Sequence, residues 1–260
     1  MITSLANDKV RWARSLNRLH TRQAEQHYLI EGVRLVEEAL RAGRTPALVF
    51  CALGLQETAR GRLLAQALEE SAALRDRVLP VSERVLASLA CTVAPQGVVA
   101  AVPMEALPPG APGVILVLDR LRDPGNLGAI LRTCSAAGVE EVLLPPGTVD
   151  PYNPKSVRAA MGALFRVPLR PRLSWEAIGR RLLGRPVWLA DVSGGRPYTE
   201  VDWGIPSALL MGGEAEGASA EAAALASGRV HIPMQAGVES LNVAVAAGVL
   251  LFEARRTRGT

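Results

Sequence analysis

The stretch Ile232-Pro233-Met234-Gln235-Ala236-Gly237-Val238-Glu239-Ser240-Leu241-Asn242 leads directly into Val243-Ala244-Val245-Ala246-Ala247-Gly248-Val249-Leu250-Leu251-Phe252. A loop with polar and glycine positions is followed by a helix that is apolar on every side. Ser240 stands just ahead of that helix, where a hydroxyl caps free backbone N–H groups, and Asn242 falls in its first turn. A helix with no polar face is buried all round. Two environments provide this: the core of one chain, or a core on one side and a partner subunit on the other.

Two earlier segments also run from a strand into a loop. Leu209-Leu210-Met211-Gly212-Gly213-Glu214-Ala215-Glu216-Gly217 is a strand entering a glycine turn, with Glu214 a lone acid at the strand end. Such a turn can offer backbone N–H groups to a ligand, although many αβ turns look alike. It lacks both a dinucleotide fingerprint and the Lys-Ser/Thr of a P-loop. Val114-Ile115-Leu116-Val117-Leu118 is a continuous apolar run, as expected of a parallel strand covered on both faces. After Asp119 comes Pro124-Gly125-Asn126-Leu127-Gly128-Ala129-Ile130-Leu131-Arg132-Thr133. Ligands gather at the carboxyl ends of parallel strands. Asn126 either caps the helix or binds substrate. Arg132 has small apolar neighbours, so its guanidinium either needs a partner or snorkels to solvent. Cys134 reads as a small core residue.

Strands are expected at Val114–Leu118, Val139–Leu144, Phe165–Leu169, Val187–Ala190, Ala208–Met211 and Val230–Ile232, six in all. Helices lie between them, including Asn126–Ala137, stopped by Gly138, and another opened by Asn153-Pro154. This is an α/β domain with a mainly parallel sheet. Before it, Pro103 to Gly113 holds four prolines and two glycines in eleven residues, which no helix or inner strand tolerates. The expected organisation is therefore domain 1–103, linker 104–113 and domain 114–260. The first domain reads as a small α/β module. Its strands are expected near Tyr28–Ile30, Ala47–Cys51, Arg77–Pro80 and Gly97–Val102, and a helix runs from an Asn7 cap to about Leu19.

The 260 residues are 49% hydrophobic and only 4% aromatic, so aliphatic and small side chains fill the interior. Three scattered cysteines with no CxxC spacing argue for a reducing compartment and against a disulfide framework, and neither they nor three unclustered histidines suggest a metal site. The apolar run Val243–Phe252 spans about 15 Å as a helix, too short for a bilayer, and no signal-type apolar segment opens the chain. A cytoplasmic protein without metal or membrane partner is expected. The net charge of +4 suits a polyanion but does not demand one. Arg11, Arg14, Arg18 and Arg22 recur at helical spacing on one side, with no acid between Asp8 and Glu25. Uncompensated like charges are costly unless a polyanion neutralises them, so this face is either solvated or bound to RNA phosphates.

The three motifs, in their order along the chain, resemble those of the SpoU (TrmH-like) family of RNA ribose 2′-O-methyltransferases. The resemblance rests on Asn126, Gly128 and Arg132, then Gly212, Glu214 and Gly217, then Ile232-Pro233-Met234 and Ser240-Leu241-Asn242. One departure stands out: Ala236, followed by Gly237, occupies the position two residues after Met234 where the family usually has glycine. The resemblance implies a deep trefoil knot and S-adenosyl-L-methionine held in it, largely by loop backbone. Here that means Asp191, Leu210, Gly212, Gly213, Ile232, Met234, Ser240 and Leu241. It also implies a homodimer with the last helix in the interface, and a first domain related to a ribosomal-protein RNA-binding fold. The opening Ser4-Leu5-Ala6-Asn7 and Glu31 to Val36 resemble members directed at large-subunit ribosomal RNA.

The implied reaction transfers a methyl group to a ribose 2′-hydroxyl. The family assigns a base role to the arginine matching Arg132, but a guanidinium stays protonated, so gripping a phosphate and stabilising the developing alkoxide suits it better. Asn126, Glu214, Ser240 and Asn242 would orient Arg132, the ribose or the cofactor. The alternatives are a tRNA 2′-O-methyltransferase and a non-catalytic RNA-binding protein that keeps the fold.

Overall fold

A computed structural model describes residues 1–214 and 216–259. The chain forms two compact units: Met1–Glu105 with Tyr152–Arg158, and the rest of the described residues.

In the first unit Asn7 caps α1 (Asp8–Ser15), its side-chain oxygen accepting from the N–H groups of Lys9 and Val10. The helix expected to reach Leu19 stops at Ser15, and α2 (Leu19–Glu25) starts after a turn. Arg22 is buried and donates to the Leu16 carbonyl at 2.8 Å, satisfying the end of α1 that the turn leaves open. Then follow β1 (His27–Glu31), α3 (Val33–Arg41), β2 (Leu48–Cys51), α4 (Ala59–Glu70), β3 (Val78–Pro80), α5 (Glu83–Leu89) and β4 (Val98–Pro103). The sheet order is β1-β4-β2-β3, with β4 antiparallel to both neighbours and β2 parallel to β3. Val10, Ala13 and Leu16 of the first turns pack on Phe50, Val85, Leu89 and Val99.

The chain after β4 supplies β5 (Val114–Leu118), α6 (Pro124–Ala137), β6 (Glu141–Leu144), α7 (Pro154–Ala160), β7 (Leu169–Pro171), α8 (Trp175–Leu182), β8 (Val187–Ala190) and β9 (Arg196–Pro197), with α7 up to Arg158 counted in the first unit. It ends with β10 (Ser207–Met211), α9 (Ala220–Leu225), β11 (Gly228–His231) and α10 (Val243–Thr257). The sheet has seven parallel strands, in the order β7-β6-β5-β10-β8-β11-β9, rather than the six expected. The extra strand, β9, is two residues long and offers no periodicity to read. The strand expected at Phe165–Leu169 lies later. Ala163–Phe165 is a 3₁₀ turn after the left-handed Gly162, and the ladder begins only where the Pro168 carbonyl accepts from Val142 N–H at 2.8 Å.

One sheet face is covered by α6 and α10, through Leu127, Ile130, Leu131, Leu250 and Leu251; the other by α8 and α9, through Ile178, Leu182 and Ala222. The chain leaves β5 outward through β6 and β7, and β10 later inserts between β5 and β8. Such a change of direction opens a crevice at the carboxyl edge.

The opposite edge is held by charge. Glu141, whose side chain is 2% exposed, lies between Arg170 and Arg181, both at 2.8 Å. Glu140 accepts from Arg185 at 2.6 and 2.8 Å and from Gly113 N–H at 2.8 Å. With Gly110 N–H on the Glu140 carbonyl and Arg170 on the Leu107 carbonyl, residues 107–113 are irregular but fastened to the second unit.

Burial pushes the Glu140 carboxyl up, but the Arg185 hydrogen bond, the Gly113 N–H and the charges of Arg185 and Arg258 outweigh it and hold it low. A depressed carboxylate contributes stability above its unfolded-state pKa and loses it as pH falls through the folded value. Glu140→Gln is therefore expected to flatten the loss of stability on acidification. Urea unfolding between about pH 7 and about pH 3 checks this, and an unchanged slope would remove Glu140 from the acid response.

Candidate active site

A cleft of about 470 Å³ opens at the carboxyl ends of β8, β10 and β11. Its rim is Asp191 after β8, Gly212 and Gly213 after β10, and Ile232, Met234 and Ser240 after β11; Val243, Ala246 and Leu250 of α10 also line it. Apolar walls with a few polar groups suit a nucleoside-sized ligand. Leu210 does not belong to it. Its side chain is fully buried on the α8–α9 face of the sheet, because alternation along β10 turns Met211 to the cleft instead.

The glycine loop is shaped by close backbone approach. A Cβ on Gly212 would lie 2.4 Å from the Ala218 nitrogen, and one on Gly213 2.5 Å from the Arg120 carbonyl oxygen. Gly213 and Gly217 exchange backbone hydrogen bonds at 3.2 and 3.1 Å, closing the loop on itself. Asp119, buried at the end of β5, accepts from Ser219 N–H at 2.6 Å and pins the exit of the loop. Sequence reasoning passes over this acid, although a carboxylate ending a wholly apolar strand is a usable signal. It also misses His231, which lines the cleft with a buried Nδ1 that meets no partner among the described residues.

Asp191 is fixed by its own turn, accepting from the Ser193 hydroxyl at 2.6 Å and the Ser193 N–H at 2.8 Å, and it pairs with Arg229. The Ser193 hydroxyl bond leads the causes that hold its carboxyl below the usual range, so it is an anion facing the cleft. In the 232–241 loop, Val238 N–H donates to the Gln235 carbonyl at 3.2 Å, and most other backbone groups have no partner among the described residues and can meet a ligand. Gly237 takes the left-handed conformation (φ 87°), whereas Ala236 does not have positive φ. The departure at Ala236 therefore places no strain on the loop.

Three motif residues meet in one hydrogen-bonded chain. Asn242, not Ser240, caps α10: its Oδ1 accepts from Ala244 N–H at 2.9 Å and Val245 N–H at 3.3 Å. That leaves its Nδ2 to donate to Asn126 Oδ1 at 3.1 Å, and Asn126 Nδ2 to donate to Glu214 Oε1 at 2.9 Å. Asn126 is free for this because Asp123 caps α6, accepting from the Asn126 N–H at 2.7 Å. Ser240 lies exposed on the cleft wall.

Arg132 is not in this chain and does not line the cleft. It is exposed on α6, and its side chain has no hydrogen bond or ion pair among the described residues. Nor is α10 buried all round: Val245 and Phe252 are about half exposed, while Ala247, Leu250, Leu251 and Ala254 are buried. In the first unit Arg14 and Arg18 are exposed, and Arg11 lies 3.8 Å from Asp8. Buried Arg22 is spent on α1, so the four arginines do not form one face.

The fold and the cleft define an α/β enzyme domain that takes a ligand at the carboxyl edge of a parallel sheet. Residues 113–252 match the SpoU rRNA methylase family, and residues 7–100 match the MRM3-like substrate binding domain. The chain belongs to the SpoU rRNA methylase family. It is 36% identical to an uncharacterized tRNA/rRNA methyltransferase of Synechocystis, over 98% of this chain and 93% of that protein. It is 32% identical to the Bacillus subtilis 23S rRNA (guanosine(2553)-2′-O)-methyltransferase RlmP, over 98% of both chains. The AdoMet-bound rRNA methyltransferase of Sinorhizobium meliloti superposes with a TM-score of 0.83 at 32% identity, covering 98% of this chain and 97% of that one.

S-adenosylmethionine fits the residues present: an apolar wall, open loop backbone, a fixed Asp191 carboxylate and an unpartnered His231 nitrogen. Gly212→Ala is expected to weaken S-adenosylmethionine binding by about tenfold or more, because backbone must move to admit the methyl group. Calorimetric titration tests this, and wild-type affinity would mean that the loop yields without disturbing the cleft.

Proposed function

We propose that the chain methylates a ribose 2′-hydroxyl in large-subunit ribosomal RNA, using S-adenosylmethionine, and that it does so as a homodimer. The observation that carries this reading is the Glu214–Asn126–Asn242 chain at the mouth of the cleft. Bound cofactor supplies an electrophilic methyl group, held by Asp191, Gly212, Gly213, Ile232, Met234 and Leu241. The protein's own task is to orient a ribose for in-line attack and to stabilise the charge that develops on its 2′-oxygen. Glu214 and the two asparagines offer an ordered donor and acceptor set for the ribose, and Ser240 adds a hydroxyl. Residues after β11 return through the loop to α10, which packs on α6; this path is consistent with the knot that the family implies. The first unit guides RNA through Arg11, Arg14 and Arg18.

Arg132 grips the phosphate beside the target ribose. Since it is exposed, unpaired among the described residues and outside the lining of its own cleft, the dimer is the means of bringing it to a cleft. The apolar stripe of Val245 and Phe252 on α10 supplies a surface for that dimer. Arg132→Ala is expected to lower kcat by about 100-fold or more with S-adenosylmethionine affinity unchanged. Mixing it with an inactive Glu214→Ala variant should restore about a quarter of wild-type turnover, through statistical heterodimers with one intact site. Methyl transfer to a large-subunit ribosomal RNA transcript, mapped to a 2′-O position, is the assay. No recovery on mixing would confine Arg132 to its own subunit, and wild-type turnover by Arg132→Ala would end its catalytic assignment.

Charge reversal at Arg14 and Arg18 should lower the salt slope of RNA binding by about 0.7–0.9 for each phosphate that the variant no longer neutralises. An unchanged slope in filter-binding titrations would return that face to solvent.

A further inference from the structure

The segment joining β5 to α6 presents two arginines that the proposed reaction leaves unused. Leu121 is buried, and its carbonyl accepts from Val149 N–H at 2.8 Å, so the residues on either side face outward together. Arg120 holds a left-handed conformation (φ 55°), unusual for a residue with a side chain and a mark of a position fixed by its surroundings. The Gly213 backbone packs against the Arg120 carbonyl too closely for a Cβ, so this turn and the glycine loop form one layer. From that loop Glu216 reaches both guanidinium groups, at 2.6 Å to Arg122 and 3.5 Å to Arg120. All three side chains are between 42% and 69% exposed.

We infer that Arg120 and Arg122 form a binding site for a phosphodiester of the RNA strand close to the methylated ribose, and that Glu216 occupies it until RNA arrives. The inference rests on the RNA-methyltransferase reading. Its geometry is that of the loop itself: Glu214 reaches Asn126 in the first turn of α6, while Glu216, two residues on, reaches the arginines just before that helix. A phosphate held there lies next to the ribose-orienting chain. An exposed ion pair is weak, so an incoming phosphate can displace the carboxylate at little cost. Two adjacent guanidinium groups match its oxygens better than a lysine could.

The experiment compares wild type, Arg120→Ala/Arg122→Ala and Glu216→Gln. Each is titrated with a large-subunit ribosomal RNA transcript over a range of salt, with kcat, KM for the transcript and S-adenosylmethionine affinity measured alongside. The double variant should raise KM about tenfold with kcat and cofactor affinity near wild type, and flatten the salt slope by about 0.7 for the one phosphate left without its cations. Glu216→Gln should bind the transcript severalfold more tightly, since the internal competitor is gone. The inference is overturned if wild type methylates the transcript while both variants keep its slope and KM. It is also overturned if the double variant loses kcat or cofactor affinity without any change in slope, which would make the pair a latch for the glycine loop. A wild-type protein that neither binds nor methylates the transcript would overturn the underlying reading, and this inference with it.

Discussion

Two backbone N–H groups at the start of α10 need an acceptor, and the Asn242 side chain has one oxygen to offer. That demand sets the rest of the site. Once Oδ1 is committed to Ala244 and Val245, Nδ2 must donate elsewhere and finds Asn126; the Asn126 amide then has one orientation, with its own Nδ2 on Glu214. Each side chain in the series is fixed by the preceding one, without ambiguity over which way an amide points. A helix cap is worth about 1 kcal/mol. Here it also carries orientation across distant parts of the sequence, the two bonds joining residues 116 and 88 positions apart.

The cap works only if α10 and the glycine loop are themselves immobile. Leu250, Leu251 and Ala254 bury one side of α10 in the core it shares with α6, and Arg255 donates to the Ala136 carbonyl at the end of α6. The loop is held from both ends: Gly212 packs against the backbone of Gly217 and Ala218, and the Asp119 carboxylate binds Ser219 N–H at its exit. An unpaired buried N–H would cost about 1–3 kcal/mol and an unpaired buried carboxylate more, so each enforces the other's position. The chemistry of the site therefore lies on rigid helix and strand ends, although every residue that carries it is in or beside a loop.

Much of this is legible in the residues alone. The apolar run Val114–Leu118 and the later strands mark a parallel sheet, and Gly138 marks the end of α6. The three motifs supply Asn126, Glu214 and Asn242, which meet in one hydrogen-bonded chain. What escapes the sequence has physical reasons. Two residues make β9, too few for any period. Asp123 and Asn126 are both good cap residues three positions apart, as are Ser240 and Asn242 two apart, and composition does not choose between them. A helical wheel places Arg22 with Arg11, Arg14 and Arg18, but the turn after Ser15 breaks the phase and leaves a carbonyl that only a buried donor can satisfy. The apolar composition of α10 reads as a helix buried all round, but only one side is buried, through Ala247, Leu250, Leu251 and Ala254, while Val245 and Phe252 stay about half exposed.

The arginines show how partner, rather than residue type, decides a role. Arg22 donates to the buried Leu16 carbonyl, and Arg185 grips the Glu140 carboxylate; removing either would leave buried polar groups unmatched, so both are tied to stability. Arg120 and Arg122 share one exposed carboxylate, an ion pair weak enough to be exchanged. Arg14, Arg18 and Arg132 are exposed, with no side-chain hydrogen bond or ion pair among the described residues. A guanidinium left open in this way keeps its full charge for an anion from outside the chain, and it forfeits no internal bond when it takes one. Under the proposed function, that ordering runs from arginines that build the protein, through those an RNA strand can borrow, to those left for its phosphates.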